Sequence, residues 1–119
     1  MLRVLVVDDN VMFRDVFCRG LDHQPGIEVA AQAGSLAEAR GKLGGIDVVI
    51  IDRGLPDGDG LELVGELRGA NPGAKLLVMS STVEMVHPSD ALEAGADAVV
   101  DKLDPLEQVA AQIRAVQEG

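Results

Sequence analysis

A run of four β-branched apolar residues, Val48 to Ile51, sets the strongest limit on how this chain can fold. A strand without alternating polar residues is typical of the centre of a parallel sheet, where both faces are covered. The run ends at Asp52, and turn-forming residues that include Pro56 and Gly60 follow it. Because open sheets of this kind bind ligands at the carboxyl ends of their strands, Asp52 is either a functional carboxylate or an ordinary turn residue.

Five apolar segments occur along the chain, and a helical pattern follows each of them. The apolar segments span residues 2–7, 27–33, 48–51, 74–79 and 98–101, and the helical patterns begin near residues 11, 36, 61, 84 and 106. We expect the first helix to end near Gly20 and the second to end at Gly44 and Gly45. Alternation of strand and helix implies a parallel sheet with right-handed crossovers and helices on both faces. The sequence therefore predicts a doubly wound α/β fold with a five-stranded parallel sheet.

Local signals mark the starts of three of these helices. Asn10 suits the N-cap of the first helix, and Ser35 with Glu38 forms the capping-box pattern of the second. Pro88 lies in the middle of the fourth helical pattern, residues 84–94. Because a proline is tolerated in the first turn of a helix and disrupts later turns, we expect the fourth helix to begin near Pro88 or to bend there.

Length and composition exclude several classes of protein. The 119 residues suffice for one domain with its own core. The net charge of −10 argues against nucleic acid binding by this domain, because a phosphate backbone requires a basic surface. Cys18 is the single cysteine, which excludes an internal disulfide or a zinc-ligand pattern and predicts a buried thiol. The sequence carries no secretory signal or membrane-spanning run, so we expect a cytoplasmic domain without membrane contact.

Polar side chains follow four of the five predicted strands. Asp8 and Asp9 follow the first strand, Asp52 the third, Ser80 the fourth and Lys102 the fifth. Since the carboxyl ends of parallel strands share one edge, we expect these side chains to converge. Converging carboxylates repel one another, and a hard divalent cation such as Mg²⁺ stabilises them. A lysine and a hydroxyl at the same edge suit a phosphoryl group, with one carboxylate as the nucleophile that forms an aspartyl phosphate.

These motifs resemble those of receiver domains of two-component response regulators, and the resemblance covers essentially the whole chain. The matching segments are residues 6–10 (VVDDN), 52–60, 77–81 (LVMSS), 95–97 (GAD) and Lys102. The resemblance implies that Asp52 is the phosphoacceptor. It also implies that Asp9 binds Mg²⁺ directly, that Asp8 assists largely through water, and that the backbone carbonyl of Gly54 is a further metal ligand.

The same resemblance assigns roles to two further side chains and names a partner. It implies that Ser80 is a switch hydroxyl drawn toward the phosphoryl group and that Lys102 pairs with that group. The phosphoryl group would come from a histidine kinase or a phosphotransfer protein. Phosphorylation would then change the face formed by the fourth helix, fifth strand and fifth helix, through which a homodimer could form. Such a domain is not a turnover enzyme, since it acts only on its own aspartate.

Three residues depart from the family pattern. Arg53 follows the acceptor where an apolar residue is usual; it is either a solvated surface residue or a cation that leans over the site. Val99 replaces the aromatic residue that many members rotate on activation. Leu103 replaces a proline that commonly follows the lysine, which puts the conformation of that loop in doubt. The site residues are thus all present, while the means of passing the signal onward is unusual.

The carboxyl-terminal segment, residues 101–119, resembles the end of receivers in regulators with a LuxR-type helix-turn-helix module. We therefore expect residues 1–119 to be a single receiver domain taken from a longer regulator whose carboxyl-terminal domain binds DNA; a stand-alone receiver is the other reading. The main alternative function is a degenerate receiver that serves only for protein interaction or dimerisation. A haloacid-dehalogenase-like phosphohydrolase is disfavoured, because Asp8-Asp9-Asn10 does not provide the D-x-D motif and no cap insertion is present.

Overall fold

A five-stranded parallel sheet forms the centre of the molecule, with the strand order β2-β1-β3-β6-β7. The computed structural model describes residues 1–70, 73–80 and 88–118. The strands of this sheet are β1 (Leu2–Val7), β2 (Ile27–Ala33), β3 (Val48–Asp52), β6 (Lys75–Ser80) and β7 (Ala98–Asp101). A short antiparallel pair, β4 (Gly54–Leu55) and β5 (Gly58–Asp59), lies outside it and was not predicted. The predicted doubly wound fold is confirmed.

Five helices follow the strands, and two of them end elsewhere than predicted. They are α1 (Val11–Asp22), α2 (Leu36–Arg40), α3 (Gly60–Ala70), α4 (Pro88–Ala94) and α5 (Leu106–Glu118). Helix α1 continues to Asp22, shortly beyond the predicted end near Gly20, and its last turn includes the fully buried Leu21. The prediction that α2 reaches Gly44 was wrong, because the chain leaves the helix at the C-cap, Gly41. Leu43 nevertheless packs on the core from the loop that follows.

The N-terminal signals were read correctly. The side chain of Asn10 accepts a hydrogen bond from the backbone N–H of Phe13, and the side chain of Ser35 accepts one from Glu38. Within the described residues, α4 runs from Pro88 to Ala94, and the expected start near Pro88 stays a prediction. The rest of the predicted fourth helical pattern, residues 84–87, lies outside the described residues.

Apolar side chains cover the sheet on both faces. On one face, Val4 and Val6 pack with buried residues of α1 and α5; on the other, Leu5 and Val7 pack with buried residues of α2, α3 and α4. Successive residues of a strand point to opposite faces, so burial on both sides explains the unbroken apolar runs. Polar side chains therefore fit only where the strands end. The predicted site residues lie at the carboxyl ends of the strands.

None of the helices in the described part of the chain is long and apolar enough to cross a membrane.

Candidate functional site

The strand ends bring the predicted polar residues to one edge of the sheet. Asp8 follows β1, Asp52 is the last residue of β3, and Ser80 is the last residue of β6. Lys102 comes directly after β7, and its backbone N–H donates to the carbonyl of Ser80 at 3.0 Å. Carboxylate oxygens of Asp8, Asp9 and Asp52, one from each residue, lie within 4.8 Å of one another. The structure therefore places Asp8, Asp9, Asp52 and Lys102 together and puts Ser80 at the same edge, while their chemical roles stay predictions.

Two of the three carboxylates are buried, and a lysine lies between them. Asp8 is 0% exposed and Asp52 is 2% exposed, whereas Asp9 is on the surface. The Lys102 Nζ atom donates a hydrogen bond to Asp52 Oδ2 at 3.1 Å. It also forms an ion pair with Asp8 Oδ2 at 3.1 Å. One ammonium group thus partly compensates two carboxylates.

This arrangement shifts the pKa of two groups. Burial, together with the neighbouring charge of Asp8, raises the pKa of Asp52 from 3.8 to about 6, although Lys102 opposes the shift. Burial by itself would lower the pKa of Lys102, but its contacts with Asp8 and Asp52 outweigh burial, so that this pKa is raised. At neutral pH the site thus holds an ionised Asp52 and a protonated Lys102, and it still has more negative than positive charge.

The donor atoms at this edge suit a hard divalent cation. The Oδ2 atom of Asp8 is buried and, within the described residues, makes no hydrogen bond, although Lys102 lies near it. A buried acceptor without a hydrogen bond is costly, and a metal ion would satisfy it. Carboxylate oxygens are the ligands that Mg²⁺ prefers. The residues present therefore fit a magnesium ion held by Asp8, Asp9 and Asp52.

The loop after Asp52 is folded back against it. The backbone N–H of Gly54 donates to Asp52 Oδ1 at 3.3 Å, and the N–H of Gly60 donates to the carbonyl of Arg53 at 2.8 Å. A Cβ atom at Gly60 would overlap the carbonyl oxygen of Asp52 and would lie 2.8 Å from the Ile51 Cγ2 atom, so only glycine fits there. These contacts hold Gly54 beside the acceptor, where its carbonyl was predicted to bind the metal.

Arg53 is a partly exposed residue that pairs with a carboxylate of the same loop. Its side chain is 25% exposed. Its guanidinium group lies 3.5 Å from Asp59 Oδ2, which belongs to β5. Arg53 therefore contributes to the short antiparallel pair that follows the acceptor.

Two residues that were not predicted from the sequence form hydrogen bonds with the backbone around the site. The Arg14 Nη1 atom donates to the backbone carbonyl of Asp8 at 2.6 Å, and its Nε atom donates to Gln32 at 3.2 Å. The carboxylate of Asp57 accepts from the backbone N–H groups of Leu36 at 2.9 Å and Ala37 at 3.1 Å, in the first turn of α2. In sequence, Arg14 is an ordinary polar position on a helix and Asp57 an ordinary turn residue. Neither pattern signals the contact.

The chain was compared with known families and with known proteins. The family model described as "response regulator receiver domain" matches residues 4–114. The DNA-binding transcriptional activator DevR/DosR of Mycobacterium tuberculosis is 35% identical over 104 residues, which cover 86% of this chain and 48% of that protein. The response regulator protein VraR of Staphylococcus aureus is 30% identical, over 99% of this chain and 57% of that protein. The chain thus spans about half the length of these curated relatives.

Solved structures agree with this assignment. The receiver domain of a putative response regulator, NarL, from Mycobacterium tuberculosis matches 99% of this chain and 97% of its own, with a TM-score of 0.89 at 24% identity, which shows the shared fold. The response regulator ChrA of a heme-sensing two-component system matches 98% of this chain and 57% of its own, with a TM-score of 0.80 at 30% identity. With the family model matching residues 4–114, the chain belongs to the family of response regulator receiver domains.

Proposed function

We propose that Asp52 accepts a phosphoryl group from a histidine kinase, or from a phosphotransfer protein, in a reaction that requires Mg²⁺. The observation that carries this proposal is the contact between Lys102 and the two buried carboxylates of Asp8 and Asp52, with Asp9 within reach of both. The three carboxylates carry more negative charge than Lys102 can balance, so a bound Mg²⁺ ion would be needed to neutralise them before an anionic phosphoryl group approaches Asp52.

The transfer is a substitution at phosphorus. An Oδ atom of Asp52 forms a new O–P bond while the P–N bond to the donor's histidine breaks, and the imidazole keeps the electron pair and takes up a proton. Since its pKa is about 6, Asp52 is ionised at neutral pH and can act as a nucleophile. A Mg²⁺ ion held by Asp8, Asp9, Asp52 and the Gly54 carbonyl would neutralise the charge of the phosphoryl oxygens.

Lys102 and Ser80 act on the phosphoryl group after it arrives. In the structure the Lys102 ammonium donates a hydrogen bond to Asp52 Oδ2. It can turn from there to the new phosphoryl oxygens, because the phosphoryl group is attached to the same Asp52 carboxylate. The buried Ser80, whose carbonyl accepts from the Lys102 N–H, follows as the switch hydroxyl. The change then reaches the face formed by α4, β7 and α5, where a homodimer would form.

The downstream effect we propose is control of transcription by a separate DNA-binding domain. The support is that DevR/DosR, a relative at 35% identity, is a DNA-binding transcriptional activator and that this chain spans 48% of its length. Residues 1–119 would then be the receiver part of a longer regulator. The second candidate is a degenerate receiver that binds partners without phosphorylation; Val99, which stands where many receivers have a switching aromatic residue, favours it.

Intact-protein mass spectrometry decides between these two functions. The protein is incubated with an acyl phosphate and Mg²⁺, and the same reaction is run with excess chelator and with Asp52→Asn. We expect one added phosphoryl group on the wild type with Mg²⁺ only, and none on Asp52→Asn. Asp15→Asn, which changes an exposed carboxylate on α1, should be labelled like the wild type. Labelling that persists with chelator or in Asp52→Asn would rule out the proposed reaction.

A further inference from the structure

The lysine at the site contacts an aromatic ring as well as two carboxylates. The Lys102 Nζ atom lies 4.9 Å from the centroid of the Phe13 ring. At this distance the negative face of an aromatic ring attracts an ammonium group. The chain has only two phenylalanines, Phe13 and Phe17, and no tyrosine or tryptophan.

The ring of Phe13 is itself held in place from two sides. The backbone N–H of Phe13 donates to Asn10 Oδ1 at 3.0 Å. This hydrogen bond fixes the residue in the first turn of α1, the helix that follows the acidic pair. Its ring stacks on Phe17 with centroids 5.4 Å apart and planes 19° apart. Phe17 is 6% exposed and belongs to the core between α1, α5 and the sheet. A continuous set of contacts therefore runs from the core through Phe17 and Phe13 to Lys102.

We propose that Phe13 is a positioning residue that holds the Lys102 ammonium against the Asp52 carboxylate. This inference rests on the proposed function, because it assigns to Phe13 a part in phosphorylation of Asp52. A lysine side chain has a flexible four-carbon stem and points its charge into water when nothing restrains it. The side chain of Lys102 is only 19% exposed. The ring restrains the ammonium on one side while the carboxylates of Asp8 and Asp52 bind it on the other.

A pre-positioned cation speeds a reaction in which negative charge approaches. Lys102 can stabilise the incoming phosphoryl oxygens without first being ordered, so the ordering entropy is not added to the barrier. If the ring is lost, the ammonium gains other rotamers and the fraction in the reactive position falls. The rate of phosphorylation should fall with it, while the carboxylates that hold Mg²⁺ remain in place.

A simpler reading is that Phe13 only fills space beneath α1, since it also packs against the core cluster. The two readings differ in whether the effect of Phe13 depends on Lys102. A packing residue would change the reaction to the same extent with or without the lysine. A positioning residue would have no effect once the lysine is gone, and a double-mutant cycle measures this difference.

The first experiment tests the contact itself. The chain has four aromatic rings, two of phenylalanine and two of histidine, so NMR can assign the source of a ring-current shift. We expect the Lys102 Hε protons of the wild type to be shifted upfield, and we expect Phe13→Leu to remove that shift. Unshifted Lys102 Hε protons in the wild type would overturn the inference, whatever the stability of the variants.

The second experiment is the cycle, with the labelling rate by an acyl phosphate as the readout at saturating Mg²⁺. Phe13→Leu, which keeps apolar volume but lacks the ring, should be labelled about threefold to tenfold more slowly, the range that a cation–π contact of this strength predicts. Phe13→Tyr should restore the rate, because it keeps the ring face. Val16→Ala, an exposed change on the same helix, should react like the wild type. In a Lys102→Gln background, Phe13→Leu should have no further effect.

The outcomes separate the two proposals. A wild type that is not labelled at all would refute the proposed function and this role of Phe13 with it. A labelled wild type with Phe13→Leu reacting at the same rate would refute the role of Phe13 alone. An equal loss in the Lys102→Gln background would do the same, since it would show that Phe13 acts through packing.

Discussion

At the scale of single residues, Asp52 is a carboxylate that the fold keeps out of water beside a second carboxylate. Its pKa of about 6 lies above the ordinary 3.8, so the folded protein binds more protons than the unfolded protein between these values. Stability therefore falls as the pH rises from about 4 to about 6, and the full destabilisation is present at pH 7. Lys102 offsets this cost only in part, because the pKa of Asp52 stays raised despite its hydrogen bond to Lys102.

Replacing this carboxylate should therefore stabilise the protein in a pH-dependent way. In the absence of divalent cations, we expect Asp52→Asn to be about 1 to 2 kcal/mol more stable than the wild type at pH 7, after allowance for its lost contact with Lys102. The difference should approach zero at pH 4, where the wild-type carboxyl is protonated. Urea unfolding with chelator at both pH values measures it. Equal differences at the two pH values would contradict the electrostatic explanation.

At the scale of elements, the short antiparallel pair after the acceptor is tied to a helix far from it in sequence. Asp57, between β4 and β5, accepts from the N–H groups of Leu36 and Ala37 at the start of α2. These hydrogen bonds lower the pKa of Asp57, because backbone N–H donors favour the charged form of a carboxylate. Helix α2 has only five residues, so these two hydrogen bonds add to the burial of Leu36 and Ala39 in holding it.

Removal of this carboxylate should loosen α2. We expect Asp57→Ala to lower the free energy of unfolding, because two backbone N–H groups in the first turn of α2 lose their acceptor. Chemical denaturation measures it, and amide exchange of Leu36 and Ala37 should speed up in parallel. Asp15→Ala removes an exposed i,i+4 pair with Arg19 and should cost less than about 0.5 kcal/mol. If the two variants were equally stable, the capping role of Asp57 would be wrong.

A second element-scale prediction concerns the segment from Thr82 to Ser89, most of which lies outside the described residues. Val99 is too small to exchange places with a moving hydroxyl, so the signal from Ser80 needs another route. Pro88 has no backbone N–H with which to hydrogen-bond to the residues that precede it. We expect residues 82–89 to exchange amide hydrogens quickly in the unphosphorylated protein and more slowly after phosphorylation. Strong protection in both forms, measured by hydrogen exchange, would favour the degenerate receiver.

At the scale of the whole molecule, the dispersed acidic residues and the acidic cluster at the site should respond differently to added salt. The net charge is −10, and general screening by any salt should stabilise such a chain. The cluster of Asp8, Asp9 and Asp52 differs from the rest, because two of its members are buried and the three lie within 4.8 Å of one another. The stabilisation that a divalent cation gives by binding to this cluster should therefore exceed the stabilisation that salt gives by screening.

Mg²⁺ should therefore stabilise the domain beyond the effect of ionic strength. At free Mg²⁺ roughly 100 times the Kd we expect about 2.7 kcal/mol of added stability, read as a rise in Tm relative to NaCl of matched ionic strength. Asp9→Asn should lose most of this rise, whereas Asp15→Asn should keep it. A rise in Tm that NaCl reproduces in full would show screening only and would remove the support for a metal site.

Several features of this protein were determined by the sequence alone, because they depend on local pattern. The apolar runs predicted the five strands of the sheet, and the polar residues after them predicted that Asp8, Asp52, Ser80 and Lys102 meet at one edge. This worked because parallel strands must end together and because a core covered on both faces accepts polar groups only at strand ends. Asn10 and Ser35 also act on neighbouring residues, so the starts of α1 and α2 could be predicted from them.

Only the tertiary structure decided the contacts between residues far apart in sequence. The end of α1 depended on burying Leu21, and Asp57 reaches Leu36 across 21 residues. The Phe13 ring lies over Lys102 because α1 and the end of β7 meet at the site, and neither residue's neighbours in sequence indicate it. The local sequence pattern allows many such contacts equally well. Which of them form is decided by the free energy of packing the whole core, which no single segment determines.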